Sequence, residues 1–210
     1  MTMADFDSLI DELSADAAPV KVATSRSGRI GLLVVALASF AFAAVKGWRA
    51  DQWTALMPTQ LWLTLGLLGL LAAAAGGGAV RMARPQVGAA SSGTGWALGG
   101  VATLLLAALV AIVGGSHDAS VAGGWRCTAY GSLFGLATFL FLAAWLKRGA
   151  PVQPKRAATL SGIAAGAVGG FAISLDCPSN AIAHVGIYHL LPILIGAAAG
   201  RLLLPRLLRW

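Results

Sequence analysis

The reactive side chains of this chain occupy a few positions. Cys127 stands in Trp125-Arg126-Cys127 and Cys177 in Leu175-Asp176-Cys177-Pro178. Three histidines, His117, His184 and His189, fall beside the same segments. Two thiols and several imidazoles at one surface can bind a soft metal ion or, on oxidation, close a disulfide. Plainer readings stay open: a structural disulfide, two unrelated buried thiols, or a core histidine at His189. No pair has the short separation of a zinc motif, and there is no CxxC. The candidate thiol- or metal-sensing residues are therefore Cys127, Cys177, His184 and His189, with the two cysteines as the metal-binding pair. No resident cofactor is expected, and a soft metal enters only as an effector.

Catalytic constellations are absent from the sequence. It contains no HExxH, no GxSxG and no paired carboxylates in an apolar run. Gly76-Gly77-Gly78 and the stretch Gly88–Gly95 are not followed by Gly-Lys-Ser/Thr, so neither is a phosphate loop. Both read as flexible or weakly helical. No enzyme is expected.

The elements that must position the thiols are apolar. The chain has 210 residues, 58% hydrophobic and 11% charged, with a mean hydropathy of +0.78. That composition is an integral membrane protein's. Six apolar runs are expected to be transmembrane helices: Ile30–Val45, Leu61–Val80, Trp96–Val113, Cys127–Leu146, Ala157–Leu175 and Ala183–Leu204. Helices are required because unpaired backbone groups cannot face lipid. The fold expected is all-α, a six-helix membrane bundle over 30–210 with a cytoplasmic tail over 1–29. An acidic segment precedes the first run, so a cleavable signal peptide is not expected.

Charge orients the bundle. Of the 15 basic residues, only Lys46, Arg49 and Arg126 fall on the side of the cysteines. The rest flank the tail, the loops around Arg81 and Lys147–Arg156, and the C-terminal end. The positive-inside rule places those segments, and both termini, in the cytoplasm. The net charge of +7 therefore reports topology and not nucleic-acid binding. No acid lies inside a run, which argues against an ion-coupled transporter.

Small residues describe the packing. Gly162, Gly166 and Gly170 recur at i+4, as do Gly196 and Gly200, the stripe that permits close helix approach in lipid. Pro192 predicts a kink. Trp48, Trp53, Trp62, Trp125 and Trp210 mark run ends.

The tail is the one long polar segment. Phe6, Leu9, Ile10 and Leu13 fall at i, i+3, i+4 and i+7, one helical stripe, ringed by Asp5, Asp7, Asp11, Glu12 and Asp16. Thr2 with Asp5 reads as a capping pair, and Pro19 closes the segment. An acidic amphipathic helix is a docking peptide for a basic partner, with Phe6, Asp7, Leu9, Ile10, Asp11 and Leu13 as the binding residues. The competing reading, a helix lying on the membrane, fits less well because such helices are Lys/Arg-rich.

Several of these segments together resemble the NrsF-type membrane anti-sigma factors. They are Ser8-Leu9-Ile10-Asp11-Glu12-Leu13 with Pro19-Val20, Trp125-Arg126-Cys127, Leu146-Lys147-Arg148-Gly149-Ala150-Pro151, and Leu175-Asp176-Cys177-Pro178 with His184, His189 and Pro192. The ending Gly200-Arg201-Leu202-Leu203 through Leu207-Leu208-Arg209-Trp210 also fits. The resemblance implies a six-helix inner-membrane protein whose cytoplasmic N-terminus holds an extracytoplasmic-function sigma factor inactive. It also implies that the two cysteines matter for a stress response, heavy-metal stress included. The partners expected are that sigma factor and the lipid bilayer, without direct contact to nucleic acid. The alternatives are a small transporter or channel, which needs a polar pathway, and a membrane thiol oxidoreductase, which needs a redox-active cysteine pair.

Overall fold

The structure, a computed structural model, describes residues 3–15, 24–47, 59–85, 92–114 and 121–208. Those residues are helical, with no strand among them. The helices are α1 (Met3–Ala15), α2 (Ser25–Lys46), α3 (Thr59–Met82), α4 (Ser92–Val113), α5 (Val121–Lys147), α6 (Pro154–Asp176), α7 (Ile182–Tyr188) and α8 (Leu191–Leu207). Thr2, Pro19, Trp48, Trp53, His117 and Trp210 lie outside the described residues.

Local chemistry sets several boundaries. Thr24 caps α2, its side chain accepting from the Ser27 amide at 3.3 Å. The boundary expected at residues 29 and 30 thus falls inside α2. Gly47 ends that helix at φ 150°, a conformation that favours glycine. Pro154 opens α6 and Pro192 opens α8, each in the first turn, where a missing N–H costs nothing.

The last expected run is two helices. Residues 189 and 190 separate α7 from α8. Pro192 has no N–H for the Tyr188 carbonyl, and the Ile193 amide turns to Leu190 O at 2.9 Å. The expected kink is therefore a break.

Helix α6 is the axis of the bundle, buried along nearly all of Ala157–Ser174. Its glycines explain how. A Cβ at Gly162 would strike the Gly196 carbonyl, one at Gly166 the backbone of Pro192 and Ile193, and one at Gly200 the Ala158 carbonyl. On the opposite side, Gly169 meets the Gly131 carbonyl and Gly135 the Ala165 carbonyl. Backbones touch on two faces, the close approach that small residues permit between helices. Gly76-Gly77-Gly78, expected to be weakly helical, is buried within α3. Gly76 abuts Leu32 and Ala164, so close approach and not flexibility is its use. Of the stretch Gly88–Gly95, residues 92–95 form the first turn of α4.

Five helical stretches are long and apolar enough to cross a membrane: Ser25–Lys46, Thr59–Met82, Gly123–Lys147, Pro154–Asp176 and Ile182–Leu207. Six were expected. The described apolar part of α4, Leu98–Val113, is shorter than these. Helix α4 still runs back across the bundle. Ala107 shares a cavity with Gln60 of α3 and with Ser179, Ile182 and Val185. Large apolar side chains point outward along these helices, among them Leu33, Leu37, Phe42, Leu70, Leu140 and Leu203.

Contacts sort the helix ends into two groups. At one end Gly28 abuts Val80 and Trp145, the Ala150 amide donates to Ala83 O at 2.8 Å, and Lys155, Arg156 and Arg201 border one recess. This is the basic end. At the other end Lys46 sits 4.0 Å over the Tyr130 ring, and the Gln60 amide donates to Asn180 O. The cysteines lie here.

Candidate functional site

Three elements deliver the thiol-end cluster. Cys127 comes from the second turn of α5, Cys177 caps the C-terminus of α6, His184 lies on α7 and His189 at the break before α8. Their ligand atoms all lie within 4.8 Å of one another. The two Sγ atoms are 3.6 Å apart, and Cys177 Sγ is 3.5 Å from His184 Nε2. Cys177, His184 and His189 are buried, while Cys127 is half-buried and marks the exposed side. The four residues singled out in the sequence are thus brought together.

The sulfurs are within hydrogen-bond distance and not bonded, since a disulfide needs about 2.05 Å. The hydrogen bond from Cys127 holds the Cys177 thiol below its ordinary range, against the opposing effect of burial. Such a sulfur is the reactive member of the pair.

Ser174 was not singled out from the sequence. Its Oγ lies 2.8 Å from His189 Nδ1 and also donates to Gly170 O at 2.8 Å. A hydroxyl has one proton. With that proton on Gly170 O, Ser174 must accept from His189 Nδ1–H. The imidazole is then the Nδ1–H tautomer, and its Nε2 lone pair has no hydrogen-bond partner. Buried and unpartnered, that nitrogen is available to a ligand. His184 Nδ1 is also buried without a partner. The only sequence signal for Ser174 is its place three residues before Cys177, on the last turn of α6.

The other expected site, the tail helix, is α1. Phe6, Asp7, Leu9, Ile10, Asp11 and Leu13 are all exposed. The apolar stripe lies open, with Ile10 60% and Leu13 65% exposed. Among the described side chains, the acids beside that stripe are Asp7, Asp11 and Glu12.

Several hydroxyls within the bundle bond to their own helix. Ser39, Thr64, Ser132, Ser161 and Ser174 each donate to the carbonyl four residues back. Trp145 Nε1 donates to Val80 O at 3.3 Å.

A family model described as negative regulator of sigma F matches residues 13–210. A curated protein of Azospira oryzae, named probable anti-sigma-F factor NrsF, is 30% identical over 97% of this chain and 99% of its own length. No solved structure matches. With the family match covering nearly the whole described bundle, thiol end and basic end alike, the chain belongs to the NrsF family of negative regulators of sigma F.

Proposed function

We propose that this chain is a membrane-anchored anti-sigma factor of the inner membrane, with both termini in the cytoplasm. It holds an extracytoplasmic-function sigma factor through α1 and releases it when a stress signal reaches the thiol end from the periplasm. The observation that carries the reading is the open apolar stripe of α1, ringed by acids and joined to the basic end of the bundle. An apolar groove on a basic protein is the surface such a helix fits. Opposite charge speeds the encounter and sets specificity. Tethering at the membrane then keeps the sigma factor from DNA.

The bundle supports the anchoring role. Five helical stretches within α2 to α8 are long and apolar enough to cross a membrane, and the apolar part of α4, Leu98–Val113, is taken in this reading as a sixth passage. The excess of cations at one end supports a cytoplasmic location for it, and the outward apolar side chains suit a lipid-facing surface. At the periplasmic end, Cys127, Cys177, His184 and His189 are the sensing residues. Thiol-reactive chemistry or a soft heavy-metal ion would meet them without crossing the bilayer.

A pull-down with residues 1–29 as bait tests the docking reading. It should capture one sigma factor, and the Leu9→Asp bait should not. Equal capture by both baits would remove α1 as the docking element. Reporter fusions at Thr2 and Trp210 test orientation, and both should report the cytoplasm.

A further inference from the structure

We infer that Cys127, Cys177, His184 and His189 form a four-coordinate site for a resident divalent d10 ion of the zinc class, with Ser174 positioning one ligand. This deepens the sensing reading and rests on it only for the consequence at the tail.

Distances carry the inference first. A tetrahedral ion with metal–sulfur bonds of about 2.3 Å and metal–nitrogen bonds of about 2.0 Å sets sulfur–sulfur edges of about 3.8 Å and sulfur–nitrogen edges of about 3.5 Å. The Cys127–Cys177 separation is 3.6 Å and the Cys177–His184 separation 3.5 Å. The widest spacing in the set, up to 4.8 Å, involves a ring nitrogen and exceeds its edge by about 1.3–1.5 Å. A small inward movement of one ring closes the tetrahedron.

The proton accounting is independent of those distances. Ser174 commits its proton to Gly170 O and so takes the Nδ1–H of His189. That leaves an Nε2 lone pair, buried and without a partner, within the thiol cluster. This is the outer-sphere arrangement of a metal-bound histidine, in which the far nitrogen donates to a fixed acceptor. A disulfide would leave that lone pair unsatisfied. A cation would take that lone pair together with both sulfurs and the His184 Nε2.

Charge agrees. Binding displaces one proton from each thiol to water, and two thiolates neutralise a divalent ion. A neutral centre suits the buried rim of the bundle. Four protein ligands leave no open position, which is the arrangement of a structural and not a catalytic site. The ion would tie the start of α5, the end of α6, α7 and the α7–α8 break into one unit. Softer ions or oxidants that take the thiolates would dissolve that unit, and this is the route by which the signal reaches the tail.

The test uses the full chain in detergent, purified through a tag without histidine, with metal measured per chain by elemental analysis. One zinc per chain is expected. Cobalt(II) added to the metal-free protein should give visible bands of tetrahedral intensity and a thiolate-to-cobalt charge-transfer band. Cys177→Ser should lower the latter, and replacing both cysteines should abolish it. Ser174→Ala, a substitution small enough to leave the helix intact, should keep the tetrahedral spectrum and weaken zinc about 10- to 100-fold. His189→Gln should weaken it further. A chain that binds no zinc, gives an octahedral cobalt spectrum, or has unchanged affinity in both Ser174→Ala and His189→Gln overturns the inference. Sigma-factor capture by the same preparations separates the two claims. Capture retained without metal leaves the docking reading standing, whereas metal bound without capture overturns only that reading.

Discussion

The Thr128 hydroxyl donates to the Tyr188 carbonyl at 3.0 Å, and that carbonyl is the one Pro192 leaves without a helical partner. A side chain on α5 therefore repairs the backbone break between α7 and α8. A carbonyl left without a partner inside a packed bundle is costly, and this bond removes that cost. His189 sits inside the repaired break, so the geometry of the thiol end depends on it.

Thr128→Val keeps the volume and removes the donor. It should destabilise the bundle by about 0.6–2 kcal/mol, the range for interhelical bonds in membranes. Thermal unfolding in detergent should show an earlier transition. Pro192→Ala, which returns an N–H to the Tyr188 carbonyl, should lessen the effect of Thr128→Val. A fully additive double variant would show that the two do not share the carbonyl.

The α6–α8 seam predicts a larger effect. Any Cβ at Gly162 strikes the Gly196 carbonyl, so Gly162→Val must push the α6 and α8 backbones away from each other. A cost of about 1–3 kcal/mol is expected, as for other overpacked cores. Gly66 has nothing within 4 Å of a Cβ position, and Gly66→Ala should leave stability unchanged or slightly raised, since alanine is the better helix former. Comparing yields and melting of the two variants in detergent checks the seam.

On α1, Ile10→Asp places a charge in the apolar stripe and should cost about 2–4 kcal/mol of sigma-factor binding, as for a hot-spot anchor. Asp7→Asn should instead slow association and flatten the salt dependence, with little change in the dissociation rate. Surface binding kinetics at two ionic strengths distinguish these outcomes. Equal effects of both changes on dissociation would contradict the division of labour.

Cys127→Ser and Cys177→Ser should leave the chain inserted and alter induction of the sigma regulon by thiol-reactive stress. Wild-type induction in both single variants and the double variant would make the cysteines bystanders. Alkylation should distinguish the sulfurs as well, with Cys127 labelled first because it is half-buried and Cys177 buried.

The sequence alone determined what short-range chemistry determines. Runs of apolar residues specify helices, flanking cations specify which helix ends lie together, and the 3.6-residue period specifies the stripe of α1. Each signal lies within one segment and is read without knowing what that segment touches. Gly162 and Gly196 likewise announce close packing, although not with each other. Tertiary structure decided the rest. Cys127 and Cys177 are 50 residues apart in sequence, and no local pattern shows that α6 brings them within 3.6 Å. Ser174 becomes meaningful only because Gly170 lies four residues behind it and His189 folds back beside it. Pro192 foretells a disturbance, but the break depends on Thr128 of another helix acting as donor. Sites built from several helices depend on distances between segments, and those distances are set by packing and not by the order of residues in the chain.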